Sequence, residues 1–133
     1  MNLLESKMNM GILNQISYDI IGAAYKVHSA LGPGLLESTY EVCLEYELIK
    51  MGYKVERQKP LPVIYDEICL DAGYRIDLLV EDSVIVELKS VNEMIPLYKA
   101  QLMTYLKLAE LNLGLLMNFN VTDMKKRITR IVM

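Results

Sequence analysis

The stretch RIDLLVEDSVIVELK, residues 75–89, sets two apolar runs on either side of a short polar turn. It reads as a β-hairpin, yet Asp77, Glu87 and Lys89 stand inside the runs, where a hairpin has no structural use for them. Strand alternation places Arg75, Asp77 and Leu79 on one face of the first strand, and Ile85, Glu87 and Lys89 on one face of the second. A three-residue turn, Glu81-Asp82-Ser83, sets Asp77 directly opposite Glu87 and Arg75 opposite Lys89. A two-residue turn would send the two acids to opposite faces. Directly opposed like charges destabilise a sheet by about 0.2–1 kcal/mol, and burial raises the cost. A divalent cation between them removes it: two carboxylates, a backbone carbonyl and waters suit Mg²⁺. Lys89, two residues past Glu87, is then placed to orient or deprotonate a water at that ion, or to offset developing negative charge. The same residues also allow a solvent-facing ladder of salt bridges, Arg75–Glu87 and Asp77–Lys89. The hairpin alone leaves both arrangements open.

Further residues are candidates to join such a site. In GLLESTY, Glu37 falls between Leu44 and Leu48 on a helical wheel, within an apolar arc completed by Leu36, Tyr40 and Met51. It is either aimed into a cleft or a first-turn acid favoured by the helix dipole. Glu41 and Glu45 continue on a neighbouring stripe and are expected to be solvated. Gln101 shares a helix face with Tyr98 and Tyr105, where it bonds a phosphate, a base or a water, or stays a surface amide. Tyr105 is expected in the core. His28, the only histidine, lies beside Ala24 and Leu31 and reads as structural. With one histidine and no GxSxG elbow, a serine-hydrolase triad has little support. Neither a Walker loop nor GxGxxG is present.

The elements that must position these residues follow from periodicity. NQISYDIIGAAYKVHSAL carries Ile16, Ile20, Ala23, Ala24, Val27 and Leu31 at helical spacing, and Gly32-Pro33-Gly34 ends it. A second helix, LLESTYEVCLEYELIKM, stops at Gly52, a C′ glycine. Extended pieces follow: YKVERQ, LPVIY, ICLDAGY, then the two runs of the hairpin. Pro96 opens a third helix in its favoured first turn. LGLLMNF reads as a buried strand and RITRIVM as a final edge strand. The order is α–α–β–β–β–β–α–β–β, a mixed α/β or α+β sandwich. Residues 1–14 lack clear periodicity and read as a flexible N-terminal arm ahead of a single domain over 15–133.

Composition is compatible with that reading. A chain of 133 residues, 53% apolar and 23% charged, builds one globular domain with a real core. No apolar run reaches the ~20 residues of a membrane span, and MNLLESKMNMGILNQ lacks the basic and apolar regions of a signal peptide. A cytoplasmic protein is the expectation. Cys43 and Cys69 have no second ligand at zinc spacing and read as small buried apolar side chains. The net charge of −3 argues against a protein that coats nucleic acid, while leaving room for an enzyme with acidic metal ligands and a local basic groove. Basic residues cluster at Lys50, Lys54, Arg57 and Lys59, and again at Lys125, Lys126, Arg127 and Arg130.

Taken together, Asp77, nine intervening residues and then Glu87-Leu88-Lys89 resemble the D…(D/E)xK core of the PD-(D/E)xK nuclease superfamily. GLLESTY, with Gly34, Glu37 and Tyr40, resembles the pattern of the GxxExxY protein family within it. GYRIDLLVED, VIVELKSV, AQLMTYLKL and GLLMNFNV resemble that family's blocks in order, from about residue 15 to the C-terminus. The nominal proline of the motif is Ile76 here. The resemblance implies a restriction-endonuclease-like core, a central mixed sheet flanked by helices. It implies Mg²⁺ or Mn²⁺ held by Asp77 and Glu87, and Lys89 serving the hydrolytic water. It also implies Glu37 joining the metal site and Gln101 touching substrate or water. Arg75 and Lys99 are candidates to grip flanking phosphates. The expected partner is nucleic acid, DNA in preference to RNA, with no membrane. So short a chain leaves little room for base reading, so specificity is expected from substrate structure, a partner or a homodimer. The rival readings are a nuclease-like fold that binds nucleic acid or a protein without cutting, and a structural subunit that pairs through an apolar, Met-rich surface.

Overall fold

The computed structural model describes the backbone of residues 3–133 and the side chains of residues 10–133. Helices α1 (Leu3–Leu31) and α2 (Glu37–Lys50) come first, then strands β1 (Val55–Pro60), β2 (Val63–Tyr65), β3 (Ile68–Leu70), β4 (Arg75–Val80) and β5 (Val84–Lys89). Helix α3 (Pro96–Ala109) leads to β6 (Leu113–Asn118), a short 3-10 turn at Met124–Lys126 and β7 (Ile128–Val132). All five extended pieces read from the sequence before α3 form strands, one more than the four in the element order, and the short β2 and β3 are closed by a turn at Asp66 and Glu67. The first helix also begins earlier than its apolar periodicity does. Part of the expected N-terminal arm, residues 1–14, lies outside the described residues.

Five strands form one sheet in the order β1-β4-β5-β6-β7, and β2 and β3 pair by themselves. All neighbours in the large sheet are antiparallel except β5 and β6, which are parallel and joined through α3. A parallel pair needs such a crossover, and it leaves both strands covered on two faces. Hence β6, LGLLMN, is buried at every position, and β5 at every position but its last. On one face, Ile16, Ile20, Ala23, Ala24 and Val27 of α1 and Tyr40, Leu44 and Leu48 of α2 pack on Leu78, Val80, Val84, Val86 and Leu88. On the other, Leu102, Tyr105 and Leu106 of α3 pack on Leu79, Ile85 and Leu116. Gly114 permits this second layer to close. A Cβ there would stand 2.9 Å from the Leu102 side chain.

The turn between α1 and α2 is pinned by Tyr40. Its hydroxyl donates to the Gly32 carbonyl at 2.6 Å and accepts from the Leu35 amide at 3.1 Å. Its ring is fully buried and stacks on Phe119, with centroids 4.6 Å apart. Ser90, just past β5, donates to the Leu35 carbonyl at 2.7 Å and ties the same turn to the sheet. Glu37, the first residue of α2, is thereby held beside the end of β5.

Two sequence expectations fail on this fold. Cys69 is exposed on the β2–β3 hairpin and Cys43 is only partly buried. The two strands pair only with each other, so Ile64, Tyr65, Ile68, Cys69 and Leu70 stay in solvent. Leu36 and Met51 are exposed because both flank α2 rather than belong to it, so the helical wheel does not govern them.

Candidate active site

The β4–β5 turn spans Glu81, Asp82 and Ser83, and Val80 pairs with Val84, Leu79 with Ile85 and Leu78 with Val86. The next pair in that register is Asp77 with Glu87, so the two acids face each other across the strands. They are locked crosswise. Asp77 Oδ2 accepts the Leu88 amide at 2.9 Å, and the Asp77 amide donates to Glu87 Oε1 at 3.3 Å. Glu87 is only 6% exposed. Burial, and then the Asp77 charge, push its carboxyl up to about 9. Glu87 therefore keeps its proton at neutral pH when nothing else balances the pair.

Lys89 does not form the alternative ladder. No ion pair among the described residues joins Arg75 to Glu87 or Asp77 to Lys89. The Lys89 ammonium instead sits 4.5 Å above the Tyr98 ring of α3, a cation–π contact that holds it without neutralising it. Arg75 turns away, donating to the Tyr74 carbonyl at 3.0 Å and standing 3.9 Å from Asp71. Glu37 is half-buried near the pair. Its carboxyl is raised by burial and by the Asp77 charge, against the opposing Lys89 charge. Lys99 is exposed at the start of α3 and makes no ion pair with the described residues. Gln101 does not reach the acids; its amide donates to the Tyr105 hydroxyl at 3.3 Å. His28 is structural as expected, with Nε2 2.6 Å from the Val121 carbonyl.

Two further residues belong to the site. Glu41, expected in solvent, is 3% exposed, because the i, i+4 step from Glu37 keeps it on the same helix face, under β1. Its carboxyl is raised, chiefly by burial, while the Gln58 hydrogen bond opposes the rise. Gln58 donates to both Glu41 oxygens at 2.9 and 3.0 Å and to Asp77 Oδ1 at 3.2 Å. It bridges the helix acid to the strand acid from the middle of β1, with φ at +55°. Backbone strain of that kind is held only where surrounding structure over-determines it. The Glu37–Glu41 spacing was a usable signal for Glu41; nothing in the sequence marks Gln58 as left-handed.

The donor set at the acid pair is hard carboxylate oxygen, with Glu87 buried and Asp77 partly exposed, which fits a small divalent cation. Among the described residues no three His, Cys, Asp or Glu side chains converge as a ready metal set. An ion here would draw on the two acids, a backbone oxygen and water, which matches the habit of Mg²⁺ to keep several waters.

A mixed sheet sandwiched between helices, with an acidic pair and a lysine on its central hairpin, defines a class of α/β domain built around a candidate metal site. The model of the PD-(D/E)XK nuclease superfamily matches residues 14–131, and the chain belongs to that superfamily. Its fold is consistent with a restriction-endonuclease-like core. No curated protein and no solved structure matches the chain. No helix among the described residues is long and apolar enough to cross a membrane.

Proposed function

We propose that this chain is a divalent-metal-dependent nuclease that hydrolyses phosphodiester bonds at the Asp77–Glu87 pair. The observation that carries the reading is the crosswise lock of two carboxylates, one of them buried, with no protein cation paired to either among the described residues. A structural pair of acids would be relieved by a neighbouring lysine or arginine, and this one is left for an ion that is not part of the chain.

Asp77 and Glu87 would hold Mg²⁺ or Mn²⁺, with the Leu88 carbonyl as a further oxygen ligand. Bound there, the ion supplies Lewis-acid polarisation of a scissile phosphate and a more acidic water. Lys89, steadied over Tyr98, orients the attacking water and offsets charge that develops on the phosphate oxygens. Glu37 stands at the rim of the pair and contacts it through water. Gln58 fixes the Asp77 carboxylate, and Glu41 fixes Gln58. Arg75 exchanges Asp71 for a flanking phosphate, Lys99 takes another, and Gln101 contacts substrate from α3. The role of Tyr40 in placing Glu37 supports assignment to the GxxExxY branch of the superfamily. DNA is the preferred substrate in this reading, and a homodimer or partner supplies what specificity so small a domain lacks.

Incubation of the protein with supercoiled, linear and branched DNA and with RNA, in Mg²⁺, Mn²⁺ or EDTA, tests the reading. Cleavage that needs metal and disappears in Asp77→Asn is the expected result. Folded wild type that binds these nucleic acids and cuts none of them in either metal would favour the non-cleaving binding module instead.

A further inference from the structure

Beside the acid pair lies a cleft of about 590 Å³ whose walls include Tyr74, Tyr98, Tyr105, Leu108, Gln101 and Lys89. We propose that this cleft stacks the base of an unpaired nucleotide, so that the protein takes single-stranded nucleic acid in preference to intact duplex. The inference deepens the nuclease reading and rests on it for the position of the scissile bond.

Three observations carry it. The first is the shape and chemistry of the walls. Tyr74 is 45% exposed just ahead of β4, and its ring meets the Tyr105 ring edge-on, with centroids 6.2 Å apart. Leu97, two-thirds exposed, continues the apolar rim. Gln101 presents an amide within this aromatic surface and, among the described residues, bonds only the Tyr105 hydroxyl, which leaves it able to pair with the edge of a planar heterocycle. Aromatic rings with a few placed polar groups are what a nucleobase needs, since every base has a π-face.

The second is continuity. Lys89 belongs both to the acid pair's strand and to the cleft wall, and its ammonium rests on Tyr98. A phosphate drawn to Lys89 would have its own base within reach of Tyr74 and Tyr98.

The third is what the surroundings lack. A duplex is gripped by free cations along two phosphate backbones. Here Arg57 faces Glu41 and Glu45, Lys54 faces Asp82 and Glu56, Lys59 faces Glu56, and Arg75 faces Asp71. Charges already paired within the protein contribute little to a backbone track, and Lys99, with Arg75 once it leaves its long contact to Asp71, suffices for the phosphates of one strand rather than two. In an intact duplex the base faces are hidden, and extruding one costs free energy that a single strand does not spend.

Fluorescence anisotropy in EDTA, where nothing is cut, compares a short oligothymidylate with a blunt duplex of the same length. The expected result is tighter binding of the single strand by tenfold or more. Tyr74→Leu and Tyr98→Leu should each weaken it about tenfold to a hundredfold, the range for loss of one stacked ring. Tyr98→Phe should retain it, which separates the ring from the hydroxyl, while the loss in Tyr74→Leu, which leaves the seat of Lys89 on Tyr98 intact, separates stacking from any shift of Lys89. Equal affinity for duplex and single strand, or unchanged binding in both leucine variants, would overturn the proposal. Ring-dependent single-strand binding by a protein that cuts nothing in Mg²⁺ or Mn²⁺ would support the cleft and overturn the nuclease reading alone.

Discussion

Replacing Glu87 by glutamine should stabilise the metal-free protein at neutral pH. The Glu87 carboxyl is raised in the fold far above its ordinary 4.5, first by burial and then by Asp77. Across that interval the folded chain keeps a proton that the unfolded chain has lost. Unfolded chains bind fewer protons there, so stability falls as pH rises from about 4.5 towards the folded value. Each pH unit costs about 1.4 kcal/mol while that holds, so about 3 kcal/mol separates pH 4.5 from pH 7. Glutamine keeps the Oε1 acceptor for the Asp77 amide, mimics the protonated acid and has no proton to lose. Urea melts of both proteins in EDTA, from pH 5 to pH 8, should start close together. By pH 7 the variant should be ahead by about 3 kcal/mol, an increase in Tm on the order of 10 °C for a domain of this size. Glu37 and Glu41 are raised too, but both proteins carry them and their contributions cancel in the difference. A difference independent of pH, or a glutamine variant less stable at pH 7, would refute the claim that the pair is frustrated without a cation.

Other perturbations read separate parts of the account. Tyr40→Phe removes one hydrogen bond to Gly32 and one from Leu35, so it should cost about 1–3 kcal/mol in urea melts; it should also lower cleavage through misplaced Glu37, and full activity would deny Tyr40 that role. Gly114→Ala drives a methyl against Leu102 and should destabilise the α3 layer by about 1–3 kcal/mol, measured the same way. Lys89→Met should leave the fold and metal affinity nearly unchanged while lowering cleavage at least a hundredfold in single-turnover assays; a small effect would transfer its role elsewhere.

Much of this site is legible in the sequence because strand periodicity is strict. Once the turn is three residues long, Asp77 must face Glu87, and one residue of slip would have separated them. Pro96 and Gly52 likewise mark helix ends by backbone chemistry that other residues rarely share. The rest depended on contacts between distant segments. Glu41 is buried because β1 lies across α2, and no local pattern reports that crossing. Gln58 reaches both acids through a left-handed backbone that its residue type does not favour. Gln101 shares a face of α3 with Tyr105, as helical spacing implies, and its amide bonds the Tyr105 hydroxyl rather than the acids. Arg75 alternates onto the expected strand face, but its long side chain reaches Asp71 in the preceding loop.

The most direct test of the central claim is calorimetric titration of Mn²⁺ into the wild type, Asp77→Asn and Glu87→Gln at pH 7, in two buffers of different ionisation heat. The wild type should take up the ion saturably and release a proton, as the ion displaces the proton held by Glu87. Both variants should lose that uptake while remaining folded. A folded wild type that takes up no ion, or an Asp77→Asn variant that binds it as well, would contradict the account.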